Sequence, residues 1–154
     1  MRPAPRLRPA RPDEADTVAA IAEAAFGPYA AAIGRRPAPM LADFAAQISA
    51  GQLRVLEAES VALGYIVFYE QDSALFVEAL ALRPDAQGAG HGRRLMEAAE
   101  AEARARALPA VALYTNARMT TALAFYPALG YRVVSERRED GFDRIYFEKR
   151  LPAD

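Results

Sequence analysis

Two hydrophobic periods divide the chain. Between residues 15 and 26, apolar side chains recur at helical spacing, at Val18, Ile21, Ala22, Ala25 and Phe26. Asp13 or Asp16 is available to cap this helix, and Gly27-Pro28 stops it. A second helical region follows, interrupted at Gly34 and at Pro37-Ala38-Pro39. The pattern predicts that it resumes from Met40 to Ala50, with Leu41, Phe44, Ala45 and Ile48 on one face and Gly51 closing it. From Leu53 the period falls to two. Leu53 to Ala58, Leu63 to Glu70 and Leu75 to Leu82 read as a meander of three strands, turning near Glu59-Ser60 and at Gln71-Asp72-Ser73.

The helical period returns from about Gly92 to Ala107. Leu95, Ala99 and Ala103 form its buried stripe, and Glu100/Arg104 and Glu102/Arg106 pair on its wet side. Pro109 ends it. Val111 to Thr115 reads as a strand and Thr120 to Leu129 as a helix, with Gly130 just beyond its end. Tyr131 to Arg138 and Phe142 to Arg150 form a hairpin around Glu139-Asp140-Gly141. With a short strand at Arg6-Leu7-Arg8, the order is β-α-α-β-β-β-α-β-α-β-β. This predicts one α/β (α+β) domain over residues 1–154, a mixed sheet with helices on both faces.

Composition narrows what such a domain does. The formal net charge is −1, so no basic footprint for nucleic acid is expected. There is no cysteine, which removes thiolate nucleophiles and thiolate metal sites. His91 is the single histidine, which argues against a histidine-built metal centre. No apolar run approaches a membrane span, and no apolar core follows the basic residues near Met1. The expectation is a cytoplasmic protein without metal. Eighteen arginines stand against one lysine, Lys149. That is a matter of codon usage more than of chemistry.

The most informative stretch is Gln87-Gly88-Ala89-Gly90-His91-Gly92-Arg93-Arg94-Leu95, between a strand and a long helix. Alternating glycines let backbone approach a ligand closely, and the helix start offers unpaired N–H groups at a positive dipole end. Together they suit a phosphate or pyrophosphate. A triphosphate loop needs Gly-Lys-Ser/Thr, but Arg93-Arg94 follows Gly92. A dinucleotide loop needs a third glycine where Arg93 stands. The arrangement Gln87-x-x-Gly90-x-Gly92 instead matches a CoA pyrophosphate loop, Gln/Arg-x-x-Gly-x-Gly/Ala.

At this point the chain resembles the GNAT superfamily of acyl-CoA N-acyltransferases over nearly its whole length. Ala124-Phe125-Tyr126-Pro127-Ala128-Leu129-Gly130-Tyr131 resembles the family's later block, an aromatic pair followed by Leu-Gly-Phe/Tyr. The resemblance implies a mostly antiparallel sheet of about seven strands, splayed between the fourth and fifth. It also implies a bulge in the fourth strand, whose backbone at Leu80, Ala81 and Leu82 would hold the thioester carbonyl and the pantetheine arm. Gln87, Gly88, Ala89, Gly90, His91, Gly92 and Arg93 would hold the far end of acetyl-CoA. Tyr126 stands where the family places a tyrosine acid. With reference pKa values of about 10 for tyrosine and about 8.5 for a thiol, full proton transfer runs uphill by roughly 2 kcal/mol. Tyr126 is therefore expected to donate a hydrogen bond to the leaving thiolate.

An attacking amine must be a free base, so a carboxylate is sought to take its proton. Glu78 is the best placed, on the strand expected to carry the carbonyl donor. The family's asparagine seven residues before the tyrosine is Met119 here. Asn116, three residues earlier, is a candidate for the cofactor, for the substrate or for capping the next helix. Tyr114 is either core or substrate lining. Phe26, Tyr29 and Met40 are candidates for the acceptor side, and Arg35-Arg36 reads as a solvated basic pair. The expectation is transfer of acetyl from acetyl-CoA to a primary amine, on a small molecule or peptide, by direct attack. Nucleic acid and membrane are not expected partners, and a homodimer is common in the family. The rival is a catalytically silent CoA-binding sensor.

Overall fold

The structure is a computed structural model, which describes residues 4–152. Among the described residues, seven strands form one sheet in the order β1-β2-β3-β4-β5-β7-β6. They are β1 (Arg6–Pro9), β2 (Leu53–Ala58), β3 (Val61–Gln71), β4 (Ala74–Leu82), β5 (Ala110–Asn116), β6 (Arg132–Glu139) and β7 (Phe142–Arg150). Every neighbouring pair is antiparallel except β4 and β5. The helices are α1 (Ala15–Phe26), α2 (Ala30–Ile33), α3 (Phe44–Ser49), α4 (His91–Ala105) and α5 (Thr120–Ala128). The mixed sheet is found, and the order of elements matches except that three helices, not two, lie between β1 and β2.

Three hairpins share one solution. The β2–β3, β3–β4 and β6–β7 connections are two-residue turns at Glu59-Ser60, Asp72-Ser73 and Asp140-Gly141, all with positive φ. Such turns match the twist of the strands they join.

One face of the sheet is covered by α4 and α5, over a core that includes Leu56, Ile66, Leu75, Val77, Leu95, Met96 and Leu113. On the other face α1 and α3 cover only part of the sheet, packing on Val55, Tyr65, Val67 and Ala81. Over β5, β7 and the early part of β4 on that face lies a bay lined by strand and turn residues alone.

Several local expectations are corrected. Residues 40–50 are not one helix: a 3-10 turn spans Ala38–Leu41, and α3 begins only after Asp43, whose side chain accepts from the Ala46 amide at 3.0 Å. Pro37 and Pro39 break the run, and Asp43 restarts it. Neither Asp13 nor Asp16 caps α1. Glu14 is buried instead, accepting from the Arg11 amide at 2.7 Å and from both terminal nitrogens of Arg8 at 2.8 and 2.9 Å. Arg8 also meets Glu57, fastening β1, β2 and the entry to α1. The pair Glu102/Arg106 forms at 2.7 Å. Glu100 does not pair with Arg104; it is 7 % exposed and accepts from the Tyr131 hydroxyl at 2.9 Å and Lys149 Nζ at 3.1 Å. Pro127 lies in the last turn of α5 and removes one backbone bond, the one that would run to the Leu123 carbonyl, just before the helix ends.

Candidate active site

β4 is one residue out of step with β3. Val67 pairs with Ala79 and Phe68 with Val77, leaving Glu78 as the extra residue of a bulge. A bulge shifts the alternation of side chains by one. Before it, Leu75 and Val77 face α4 and α5; after it, Leu80 and Leu82 do, while Ala79 and Ala81 face α1 and α3. The bulge also ends contact with β5. β4 and β5 pair only from Leu75/Val111 to Val77/Leu113. Beyond that point the backbone of 79–82 has β3 on one side and, among the described residues, no strand on the other. Gly64 lets β3 come close here, because a Cβ on it would collide with the carbonyl of Ala81.

The opening between β4 and β5 is a cavity of about 80 Å³. Glu78 and Leu80 line one wall, Tyr114 and Asn116 the other, and Tyr126 of α5 closes one side. The Tyr126 ring packs against Phe125, Tyr131 and Phe147, with centroids 5.0 to 6.0 Å away. Burial pushes its hydroxyl well above the ordinary tyrosine pKa. It therefore stays protonated, which suits a donor and not an acid that gives its proton away.

Glu78 is held by two neutral donors, Gln47 Nε2 at 2.5 Å and the Tyr69 hydroxyl at 2.9 Å. Neither brings a positive charge. Gln47 Oε1 and the Tyr65 hydroxyl are buried without a hydrogen-bond partner. Gln47 and Tyr69 were not legible as site residues, since they reach Glu78 from 31 and 9 positions away.

The glycine loop begins where β4 ends. Gln87 Nε2 donates to the Leu82 carbonyl at 3.2 Å, tying the loop to the strand. Gly88 and Gly90 have φ of 84° and 83°, a region that favours glycine. Gly90 is the N-cap of α4 and brings no side chain to its first-turn amides. His91 is half-buried, and its Nδ1 is buried without a partner. Ala89 and Arg93 are exposed, and Arg94 reaches the Pro5 carbonyl at 3.4 Å. Gly92 is buried against Phe125.

Asn116 Oδ1 accepts from the Arg118 amide at 2.9 Å, shaping the turn before α5 while still lining the cavity. α5 itself has Met119 as N-cap, without a side-chain bond. Phe26 lines the cavity, Met40 lies in the core, and Tyr29 does neither. Arg35 is exposed, as expected, but it also lies 4.0 Å over the Phe142 ring and donates to the Asp140 carbonyl at 2.9 Å. Arg36 pairs with Glu23 at the surface. Among the described residues no cluster of histidine and carboxylate could hold a metal ion, and no helix is long and apolar enough to cross a membrane.

A bulged β4 that parts from β5, with a glycine loop leading into α4, defines the class. Residues 18–131 match the model of the acetyltransferase (GNAT) family, and the chain belongs to that family. Among solved structures, the chain is similar to PaiA N-acetyltransferase from Thermoplasma acidophilum in complex with coenzyme A. The identity is 18%, covering 97% of this chain and 100% of that one, with a TM-score of 0.80. An acetyltransferase from Thermus thermophilus is 20% identical over 98% and 100% of the two chains, with a TM-score of 0.74. A GNAT acetyltransferase from Elizabethkingia anophelis with acetyl-CoA bound is 20% identical over 73% and 87%, with a TM-score of 0.61. No curated protein sequence matches the chain. Family and fold support acyl-CoA-dependent acetyltransferase activity in general.

Proposed function

We propose that the chain transfers an acetyl group from acetyl-CoA to a primary amine by direct attack within a ternary complex. The observation that carries this reading is the parting of β4 from β5 at Glu78. It puts Glu78 and Tyr126 on the walls of one cavity.

The residues fit the cofactor at both ends. The unpaired edge of 79–82 suits a pantetheine arm lying alongside as an added strand. The side-chain-free start of α4 and the unpartnered His91 Nδ1 suit a pyrophosphate. Leu80, Ala81 and Leu82 act through backbone: the groups that alternate to the open edge of β4 serve one N–H to the developing oxyanion and the rest to the pantetheine arm. Gln87, Gly88, Ala89, Gly90, His91, Gly92 and Arg93 form the cradle, and Asn116 borders the cavity.

Acetyl-CoA supplies the activated acyl carbon. A carbon–nitrogen bond forms as the carbon–sulfur bond breaks. Glu78 takes the proton the amine sheds, and Gln47 and Tyr69 hold its carboxylate in place. Tyr126 donates a hydrogen bond to the departing sulfur and keeps its proton. The thiolate then takes a proton from solvent.

The test is an amine screen with acetyl-CoA, read as released thiol; the chain has no cysteine to add background. Acyl donors other than acetyl are included. Thiol release that depends on an amine supports the reading. Stabilisation by acetyl-CoA with no release for any amine would assign a binding role instead.

A further inference from the structure

The half of the sheet that α1 and α3 leave uncovered is not featureless. Four aromatic rings cross it in a row, from Tyr69 on β3 to Phe76 on β4, Tyr114 on β5 and Tyr146 on β7. Successive centroids are 5.8, 5.8 and 5.4 Å apart. They floor a bay of about 460 Å³, within the range of small-molecule sites, about 300–1,000 Å³. The bay adjoins the cavity between β4 and β5, sharing Glu78 and Tyr114 with it.

We infer that this bay receives the acceptor, and that the acceptor is a primary amine on an aromatic or alkyl body, with no carboxylate beside the nitrogen. The inference rests on the acetyltransferase reading above. Tyr69 and Phe76 supply the apolar part of the floor for the body, while Arg144 and Arg137 lie over Tyr114 and Tyr146. Glu78, at the junction, supplies negative charge for the ammonium that arrives there.

The surrounding charges decide against an α-amino acid. An α-carboxylate is two bonds from its nitrogen, so an amine seated at Glu78 would press a second carboxylate against the first. Such like-charge crowding is costly in a partly dry site. Among the described residues, the arginines beside the bay are either paired with carboxylates or stand away from Glu78. The partners of Glu78 are neutral. Arg144, stacked over Tyr114 at 4.3 Å, is already met by Glu139 at 3.5 Å and Asp140 at 3.6 Å. Arg137 lies over Tyr146, two strands from β4, which is about 10 Å at the usual strand spacing. Of the other carboxylates lining the bay, Glu148 is paired with Arg150, and Asp72 adds negative charge at the β3–β4 turn.

The experiment compares matched pairs in the thiol-release assay: phenethylamine with phenylalanine, and tyramine with tyrosine. The expected result is a kcat/KM higher by about tenfold or more for each amine lacking the carboxylate. Phe76→Leu, which keeps an apolar side chain, is expected to raise KM for phenethylamine several-fold while leaving KM for ethylamine little changed. Calorimetric titration of the same pairs into the protein with and without CoA reads the preference independently of turnover. Equal use and equal binding of phenylalanine and phenethylamine would overturn the inference, as would a Phe76→Leu effect shared by ethylamine. So would a dimer in sedimentation that Val134→Glu dissociates, because a second copy would then cover the bay. Failure of acetyl-CoA itself to raise Tm would sink the acetyltransferase reading instead, and calorimetry would still judge the bay.

Discussion

A Cβ built on Gly92 would stand 3.1 Å from the ring of Phe125. The two stretches that identify the family, one opening α4 and the other inside α5, are thus packed against each other. Gly92→Leu forces the ring aside, and overpacking of this kind costs about 1–3 kcal/mol. Combined with Phe125→Ala, the two changes should be non-additive, the double variant losing less than the sum by about 0.5 kcal/mol or more. Urea denaturation of the four proteins measures this; additive losses would remove the contact as the reason for glycine.

Tyr126→Phe keeps the ring and its three aromatic neighbours, so folding should be nearly unchanged. Turnover at saturating substrates should fall on the order of 10–100-fold, the scale of one lost hydrogen bond to a charged group. KM for acetyl-CoA should move little. Six of the seven tyrosines, Tyr65, Tyr69, Tyr114, Tyr126, Tyr131 and Tyr146, have hydroxyls raised above the ordinary pKa, chiefly by burial. Absorbance of tyrosinate near pH 10 should therefore be well below that of the urea-unfolded chain. A full native signal at that pH would contradict the packing around Tyr126.

Arg8, through its hydrogen bonds, lowers the Glu14 carboxyl from 4.5 to about 2. A group depressed in the folded state stabilises above its unfolded pKa and loses that contribution as pH falls through its folded one. Stability should thus decline between about pH 4.5 and 2. Glu14→Gln should cost about 1–2 kcal/mol at pH 7, after allowance for solvent screening at the edge of the sheet. The loss should shrink toward pH 2. Thermal melts of both proteins across this range decide it, and a difference independent of pH would refute the clasp.

Glu100 joins α4 to the end of the sheet. Glu100→Leu leaves the Tyr131 hydroxyl and Lys149 without their carboxylate, and the expected loss is about 2–3 kcal/mol. Tyr131→Phe removes one neutral donor and should cost about 1 kcal/mol. Equal, small losses for both would mean that the buried carboxylate is not the anchor.

The course of the chain was legible because most elements announce themselves locally. The alternation in β2 to β4, the two-residue turns and the stripe on α4 are properties of short windows. Glu100 was misread because its charge suggested water, although its spacing from Met96 and Ala103 puts it on the buried stripe. Its partners lie 31 and 49 residues later. The Arg35 contact with the last hairpin spans 105 residues and has no local signature. At the site, the residue types of Glu78 and Tyr126 could be singled out. The donors that hold Glu78 come from α3 and β3, and the row of rings beside it from four strands, so neither exists until those elements pack.

The opening between β4 and β5 comes from a mismatch in length, since β4 uses one more residue than β3 over the same distance. A hollow made by small side chains can be filled by a larger one. A hollow made by counting is indifferent to which side chains line it. Substitution can retune its walls almost freely, whereas deletion of residue 78 alone should bring the strands back into step and zip them shut. The feature is tolerant of point changes and intolerant of a single-codon loss.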